Sequence, residues 1–292
     1  VNDAPLEDMA GVAVGHWTDR HARTGCTVIS FEPHALTAVE VRGAAPGTRE
    51  LDALATGRIE QRADAIVLTG GSAFGLRAAD GVAQALASQD RGYRTSAGVV
   101  PIVPAAVIFD LGRGEPTAPS PEAGQEGLLD AQRLQFVRQG EVGAGTGASW
   151  NKFSPDVRQG GIGIAQTRID RHLVTAFVVL NAMGAVQGES PDPRAAIVDA
   201  RVSTGSQGEA TTLIAVVTSM PCRHETLTRL CIAAHDALAR IVIPAHTMYD
   251  GDVAFATTLS EGDVSIRDAL RLTLATEFAV ESAIRRAALP GT

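Results

Sequence analysis

Hydrophobic and polar positions divide the chain into short strands and a few long helices. "GVAVGHW" from Gly11 and "GCTVISFE" from Gly25 read as two early strands, and "ALTAVEV" from Ala35 as a further strand or a turn. Residues 65–68 are continuously apolar, as in a buried strand, and Gly70 and Gly71 punctuate them. Leu76, Ala79, Val82, Ala83 and Leu86 then recur at helical spacing. Pro101 and Pro104 precede "AAVIF" and predict an edge or irregular strand there. Residues 112–128, rich in Gly, Pro, Glu and Ser, read as a loop. "GIGIAQTRI" from Gly161 and "HLVTAFVVLNAMG" from His172 read as an antiparallel pair turning at Asp170–Arg171.

Periodicity is lost from Ala185 to Ala210, which makes this stretch the best linker candidate. "TTLIAVVTS" from Thr211 is the next strand. Over residues 224–242 a helical stripe holds Leu227, Leu230, Cys231, Ala234, Leu238 and Ile241. "DGDVAFATTL" from Asp250 is a turn into a strand, and residues 266–287 form a last helix. Several strands are joined by turns too short for crossover helices, so a mixed or antiparallel layered α/β fold fits better than a purely parallel sheet.

Composition narrows the function classes. The 292 residues carry a net charge of -8 and no dense basic run, which argues against a nucleic-acid surface. Arginine supplies nearly all of the positive charge, and Lys152 stands out against it. Cys26, Cys222 and Cys231 are widely spaced, which fits buried thiols in a reducing compartment rather than a disulfide framework. The acidic N-terminal stretch lacks a signal-peptide core, and no apolar run approaches the roughly 18 residues of a membrane span, so a cytoplasmic protein is the expectation.

The glycine-rich segments carry no nucleotide signature. "TGGSAFG" lacks the GxGxxG spacing, and "GAGTGASWNKF" lacks the GxxxxGK[ST] of a phosphate loop. Gly70, Gly71 and Ser72 are read as a packed turn that helps shape a pocket. Ser72 and Ser149 sit outside any GxSxG motif. His16, His21, His172, His224, His235 and His246 are scattered, and HExxH is absent, so each is read as structural or surface. No metal and no cofactor is expected. Asp250 and Asp252 flank Gly251 before an apolar strand. They make either an Asx turn or a carboxylate pair able to hold a hydroxyl or an ammonium, and are too few for a calcium loop. Thr211 and Thr212 open a strand directly after a Ser/Gly/Gln-rich stretch. That pattern fits a β-branched strand start, or a threonine that becomes the first residue of a new chain.

Taken in order, "VGHWTD…GCTV" from Val14, "LTGGSAFGL" from Leu68, "PIVPAAVIFDLG" from Pro101, "VGAGTGA…NK" from Val142, "QGGIG" from Gln159, "LNAMG" from Leu180, "ATTLIAVVTS" from Ala210 and "HTMYDGDVAF" from His246 span nearly the whole chain. Together they resemble the self-processing hydrolases of peptidase family S58. That family includes the L-aminopeptidase/D-esterases, the β-peptidyl aminopeptidases and the 6-aminohexanoate oligomer hydrolases. The resemblance implies a four-layer αββα sandwich of the aminopeptidase/ornithine acetyltransferase-like type. It also implies one hydrolase domain over 1–292 that cuts itself into 1–210 and 211–292. Carried onto this sequence, Thr211 is the nucleophile released at the Ala210–Thr211 bond, and Asn181 is the oxyanion donor. Lys152 adds positive charge, and Asp250 and Asp252 orient the threonine hydroxyl and ammonium.

The match is closer to the threonine-type amide hydrolases than to the serine-type aminopeptidases. Two departures stand out. Ala210 replaces the Asn or Gly that family members carry before the nucleophile, which bears on the rate of self-cleavage. Arg77 stands where an acidic residue is common. The implied partners are a small peptide or linear oligoamide and further copies of the chain, in a homotetramer or larger assembly. Three alternatives stay open from sequence: an aminopeptidase or esterase requiring a free amine, an ornithine-type acetyltransferase, and an unprocessed scaffold.

Overall fold

The structure is a computed structural model and describes residues 6–189 and 209–289. Val12–Asp19 (β1) runs antiparallel to Thr24–Val41 (β2), a strand of 18 residues. The sequence suggested two segments in place of β2. Its pairing explains the difference. The first half pairs with β1 and with Arg62–Thr69 (β3), the register with β3 shifts between Ser30 and Ala35, and Leu36–Val41 pairs with Val253–Thr258. One strand thus serves both halves of the sheet. The exposed Glu32–Pro33–His34 step marks the passage between them and made the sequence look interrupted.

The remaining principal strands are Ala105–Val107 (β4), Ile162–Ile169 (β5), His172–Asn181 (β6), Thr211–Thr218 (β7) and Val253–Thr258 (β8). The sheet order is β5-β6-β7-β8-β2-β3-β4, with Thr48–Arg49 at the edge beyond β4. The β7/β8 and β3/β4 pairs are parallel and the rest of this path is antiparallel. The sheet is therefore mixed, as the short connections required. The β5–β6 hairpin turns at Asp170–Arg171, where the sequence placed it.

Among the described residues, four α-helices cover the sheet: Ala78–Ser88 (α1), Pro121–Leu129 (α2), His224–Ile241 (α3) and Ile266–Ala288 (α4). Three apolar layers separate four layers of structure. Ile214 and Val216 of β7 and Val174, Ala176, Val178 and Leu180 of β6 face α3 and α4. Leu213, Ala215 and Val217 of β7 instead join Phe177, Val179, Phe255, Ile29, Ile66 and Leu68 between the two half-sheets. Val28, Ala65 and Val67 pack under α1 and α2. This is the αββα sandwich. Strand side chains alternate between faces, so Thr211 belongs with Leu213 on the inner face and Thr212 with Ile214 on the helix face.

The expected loop over 112–128 ends in a helix. Ser120 caps α2 by accepting a hydrogen bond from the Ala123 N–H at 3.3 Å, with Pro121 in the first turn. The glycines that suggested a loop are contact residues. A Cβ on Gly124 would lie 1.9 Å from the Ala78 carbonyl oxygen, and one on Gly81 would lie 1.7 Å from the Pro121 carbonyl oxygen. Only glycine lets α1 and α2 approach this closely. Gly81→Ala is expected to destabilise the fold by about 1–3 kcal/mol through this overpacking. Gly112→Ala, with nothing within 4 Å of its new Cβ, is expected to change stability by less than about 0.5 kcal/mol. Denaturant midpoints of the two variants check both values.

Candidate active site

The site lies where β6 ends and β7 begins. The antiparallel register sets Asn181 opposite Thr211. Ala210 extends the β7/β8 pairing by one parallel bridge to Asp250. Its carbonyl accepts a hydrogen bond from the Gly251 N–H at 2.9 Å and one from Thr211 Oγ1 at 2.5 Å. Both threonines are buried. Thr212 Oγ1 has no hydrogen-bond partner among the described residues, and the Thr212 N–H donates to Asp252 Oδ1 at 2.6 Å.

The orientation of the Asn181 amide follows from its neighbours. Ser149 N–H, which can only donate, points to Asn181 Oδ1 at 3.1 Å, and Lys152 Nζ donates to the same oxygen at 2.8 Å. Nδ2 must then face the other way. It donates to the carbonyls of Phe109 at 3.3 Å and Glu209 at 3.4 Å. Lys152 Nζ also donates to the Glu209 carbonyl, at 2.6 Å. The carbonyl two residues upstream of Thr211 thus sits between an amide donor and an ammonium. Burial lowers the Lys152 pKa to about 7, against the opposing pull of Asp250, Glu209 and Asp110.

The two aspartates hold backbone. Asp250 accepts from the Met183 N–H at 3.2 Å and from the N–H and hydroxyl of Thr247 at 2.9 and 2.5 Å. Burial and the neighbouring Asp252 raise its pKa. Asp252 ties the Thr212 N–H to His246, whose Nδ1 is 2.8 Å from Oδ2 and whose own N–H donates to that oxygen at 3.1 Å. His246 Nε2 faces the His235 carbonyl at 3.4 Å. Both ring nitrogens face acceptors, which only the doubly protonated ring satisfies. Burial works against that charge, and Asp252 more than offsets it, so the His246 pKa lies above the ordinary histidine value. The sequence reading set this histidine aside as unpaired. Its position six residues before Asp252 in one loop was the available signal.

Asp110 is the second residue that the sequence did not single out. Its Oδ1 accepts the Gly71 N–H at 2.7 Å, and its Oδ2 is buried on the side of the Thr24 hydroxyl. Burial raises its pKa to about 6, with the Gly71 hydrogen bond and the Lys152 charge opposing. The glycine turn is built around this carboxyl. A Cβ on Gly70 would lie 2.1 Å from Asp110 Oδ2, Gly71 has a φ of 80° and Ser72 one of 52°. Ser72 N–H donates to the Ile108 carbonyl at 3.0 Å. Gly70, Gly71 and Ser72 therefore hold Asp110 beside Lys152. A cavity of about 190 Å³ opens there, lined by Phe109, Asp110, Arg113, Ser149, Lys152 and Glu209 among others.

Thr211, Ala210, Asn181, Lys152, Asp250 and Asp252 thus meet at one place, with the glycine turn reaching it through Asp110. Most of the linker candidate at 185–210 lies outside the described residues. Among the described residues no three His, Cys, Asp or Glu side chains converge as metal ligands do, and no helix is long and apolar enough to cross a membrane.

Known proteins share this architecture. The chain is 40% identical to an uncharacterized aminopeptidase of Mycobacterium leprae over 197 residues, 62% of this chain and 53% of that protein. It is 35% identical to a 6-aminohexanoate-oligomer endohydrolase of Kocuria sp. over 181 residues, 61% of this chain and 48% of that protein. The matched stretch spans about half the length of these curated relatives. A β-aminopeptidase of Burkholderia sp. has the same fold, with a TM-score of 0.74 at 21% identity over 98% of this chain and 88% of that one. The L-aminopeptidase D-Ala-esterase/amidase of Ochrobactrum anthropi follows at 0.73 and 17% identity, covering 96% and 84%. The profile of peptidase family S58 matches residues 5–290 without leaving out any part of the site, and the chain belongs to that family.

Proposed function

We propose that the chain is a self-processing amidohydrolase whose nucleophile is Thr211, released as the first residue of a second chain spanning 211–292. The observation that carries this reading is the pair of consecutive carbonyls before Thr211. The Glu209 oxygen is gripped by Lys152 and Asn181, and the Ala210 oxygen by the Gly251 N–H. In processing, Thr211 Oγ1 attacks the Ala210 carbonyl carbon while the Gly251 N–H holds the developing oxyanion. The hydroxyl proton passes to the Thr211 nitrogen as the C–N bond breaks, that nitrogen leaves as an amine, and water hydrolyses the resulting ester to an Ala210 carboxylate and a free hydroxyl. A free α-amine, with a reference pKa of about 7.7–8.0, then sits beside that hydroxyl and serves as its base.

In turnover the amine takes the hydroxyl proton as Oγ1 attacks a substrate amide, and passes it to the leaving amine. Water then hydrolyses the acyl-threonine ester. The Lys152 and Asn181 donors that hold Glu209 in the intact chain take the substrate oxyanion. Asp250 and Asp252 fix the strand head and the Tyr249–Gly251 turn around it. The substrates are short peptides or linear oligoamides, whose acyl part enters the cavity lined by Phe109 and Val157. The related oligomer endohydrolase supports the oligoamide reading. Asp110 in the same cavity favours a second one, in which its carboxylate receives the free amine of an aminopeptidase substrate. An N-blocked 6-aminohexanoate oligomer assayed beside p-nitroanilides of L- and β-amino acids separates them, since only the endo-acting enzyme cleaves the blocked substrate. The family resemblance also carries a homotetramer or larger assembly.

The purified protein is expected to contain two chains, with N-terminal sequencing of the smaller one reading Thr-Thr-Leu. Thr211→Ala is expected to stay intact and inactive, and Thr212→Ala to process. The reverse result would move the nucleophile by one residue.

Asn181→Asp keeps an acceptor for Ser149 and Lys152 and removes the Nδ2 donor. We expect kcat to fall about 10²–10³-fold, and the unfolding midpoint to fall as well, because the new carboxyl oxygen faces the Phe109 and Glu209 carbonyls in a buried position. Unaltered kcat would reject the oxyanion role.

Turnover needs a neutral α-amine and a charged Lys152. The amine gains activity as pH rises through its pKa. Lys152, with its pKa lowered to about 7, loses its charge over the same rise. A bell-shaped rate profile near neutral pH is expected, with its alkaline limb absent in Lys152→Met. A rate that climbs to a plateau above pH 9 in the parent enzyme would remove Lys152 from the oxyanion site.

A further inference from the structure

Helix α4 buries one face and leaves an apolar row on the other. Leu272, Thr276, Ala279, Val280, Ala283 and Ile284 pack inward. Facing outward are Ile266, Leu270, Leu274 and Phe278, which are 91%, 60%, 56% and 62% exposed. Scattered exposed apolar residues are ordinary on a protein surface. Four on successive turns of one helix form a continuous ridge, which marks a contact surface. Arg267 and Glu281 lie on the same face, one heptad before and one heptad after Leu274.

The arrangement of charge identifies the occupant. An antiparallel copy of α4, related by a two-fold axis at Leu274, brings Arg267 against Glu281 at both ends of the contact. A parallel copy would set Arg267 on Arg267 and Glu281 on Glu281. The surface is therefore self-complementary in one direction, as an isologous contact must be. An anionic membrane fits poorly, because the ridge is flanked by Glu277 and Glu281 as well as arginines and the chain carries a net charge of -8. In each subunit Glu281 already meets Arg240 at 2.5 Å, so an Arg267 from the second copy would extend an existing ion pair into a network.

We propose that α4 is a homodimer interface in which the Leu274 side chains of two copies meet on a two-fold axis, Leu270 and Phe278 close over them from either side, and Arg267 pairs with Glu281 of the second copy. At the axial separation of about 8–10 Å usual for packed helices, residues on the axis have Cα atoms close enough for a disulfide, which requires about 4.4–6.8 Å. Residues two turns away do not.

Cysteine substitution tests this directly, because Cys26, Cys222 and Cys231 are buried. Under mild oxidation Leu274→Cys is expected to give a covalent dimer, and Ile266→Cys to stay uncross-linked. Sedimentation should show Arg267→Glu dissociating at least tenfold more readily than the parent. Three results would each overturn the proposal: a monomeric parent protein, an oligomeric parent in which Leu274→Cys does not cross-link, or an Arg267→Glu variant that associates as the parent does.

Discussion

The site depends on the register between β6 and β7. A one-residue slip would carry Thr211 to the helix face and bring Thr212 inward, because side chains alternate along a strand. In a half-exposed strand the hydrophobic pattern prevents such a slip. Here β7 is buried throughout and apolar on both faces, so the pattern alone pins it weakly. Two features supply the rest. Bulk is unequal across the sheet, with Phe177 and Phe255 on the inner face and Ala176, Ala254 and Ala256 on the helix face. At the head of the strand, Asp252 takes the Thr212 N–H and the Gly251 N–H takes the Ala210 carbonyl. These polar contacts fit one register only, since a slipped strand would leave a buried carboxylate without its donor.

Keeping charge in such a place is costly, and the structure limits the cost by dividing the charges into linked groups. His246 and Asp252 neutralise one another at 2.8 Å. Among the described residues Asp250 has no cationic partner at that distance. It is held by the Thr247 and Met183 donors, and its repulsion from Asp252 keeps its pKa raised. Lys152, drawn by Asp250 and Asp110, and Asp110 itself are shifted toward neutrality by burial, Lys152 down to about 7 and Asp110 up to about 6. Buried ionisable groups are poor contributors to stability. Their clustering where strand ends meet a cavity is the pattern expected of a reactive site.

Much of this was legible in the chain, for reasons that differ from residue to residue. The strands from Ile162 to Asn181 and from Thr211 to Thr218 are long apolar runs bounded by turns, and periodicity located them. Thr211, Asn181, Lys152, Asp250 and Asp252 came from the family's motifs. Spacing alone could not join Lys152 to Asn181 across a sheet edge. The missed features share a cause. Helix α2 was hidden by glycines whose purpose is close packing against α1, a tertiary demand that looks locally like a loop. The span of β2 across both half-sheets was hidden by the polar step at Glu32–His34. Asp110 and His246 bind backbone and carboxylate groups supplied by distant segments or by a turn, and nothing in their immediate sequence announces a partner.

The consecutive carbonyls before Thr211 also bear on how one site handles two reactions in the proposed mechanism. While the Ala210–Thr211 bond stands, the Thr211 nitrogen is an amide and has no basic lone pair, so processing and turnover cannot use the same base. The geometry separates their oxyanion contacts as well. Gly251 N–H serves the Ala210 oxygen, whereas Lys152 and Asn181 are occupied by Glu209, one residue upstream of the bond to be cut. In the intact chain, the donors needed for substrate are therefore blocked by the chain's own backbone. In the proposed mechanism, cleavage would remove the covalent tether that keeps residues 209–210 in place. Once they withdraw, the Asn181 amide would keep only the Phe109 carbonyl and the Lys152 ammonium only Asn181 Oδ1, so each buried donor would lose one of its acceptors, which carries a free-energy penalty. A substrate carbonyl entering the vacated position relieves that penalty, most strongly when it carries the negative charge of the tetrahedral intermediate. Processing would then supply the base and unblock the oxyanion donors in a single step.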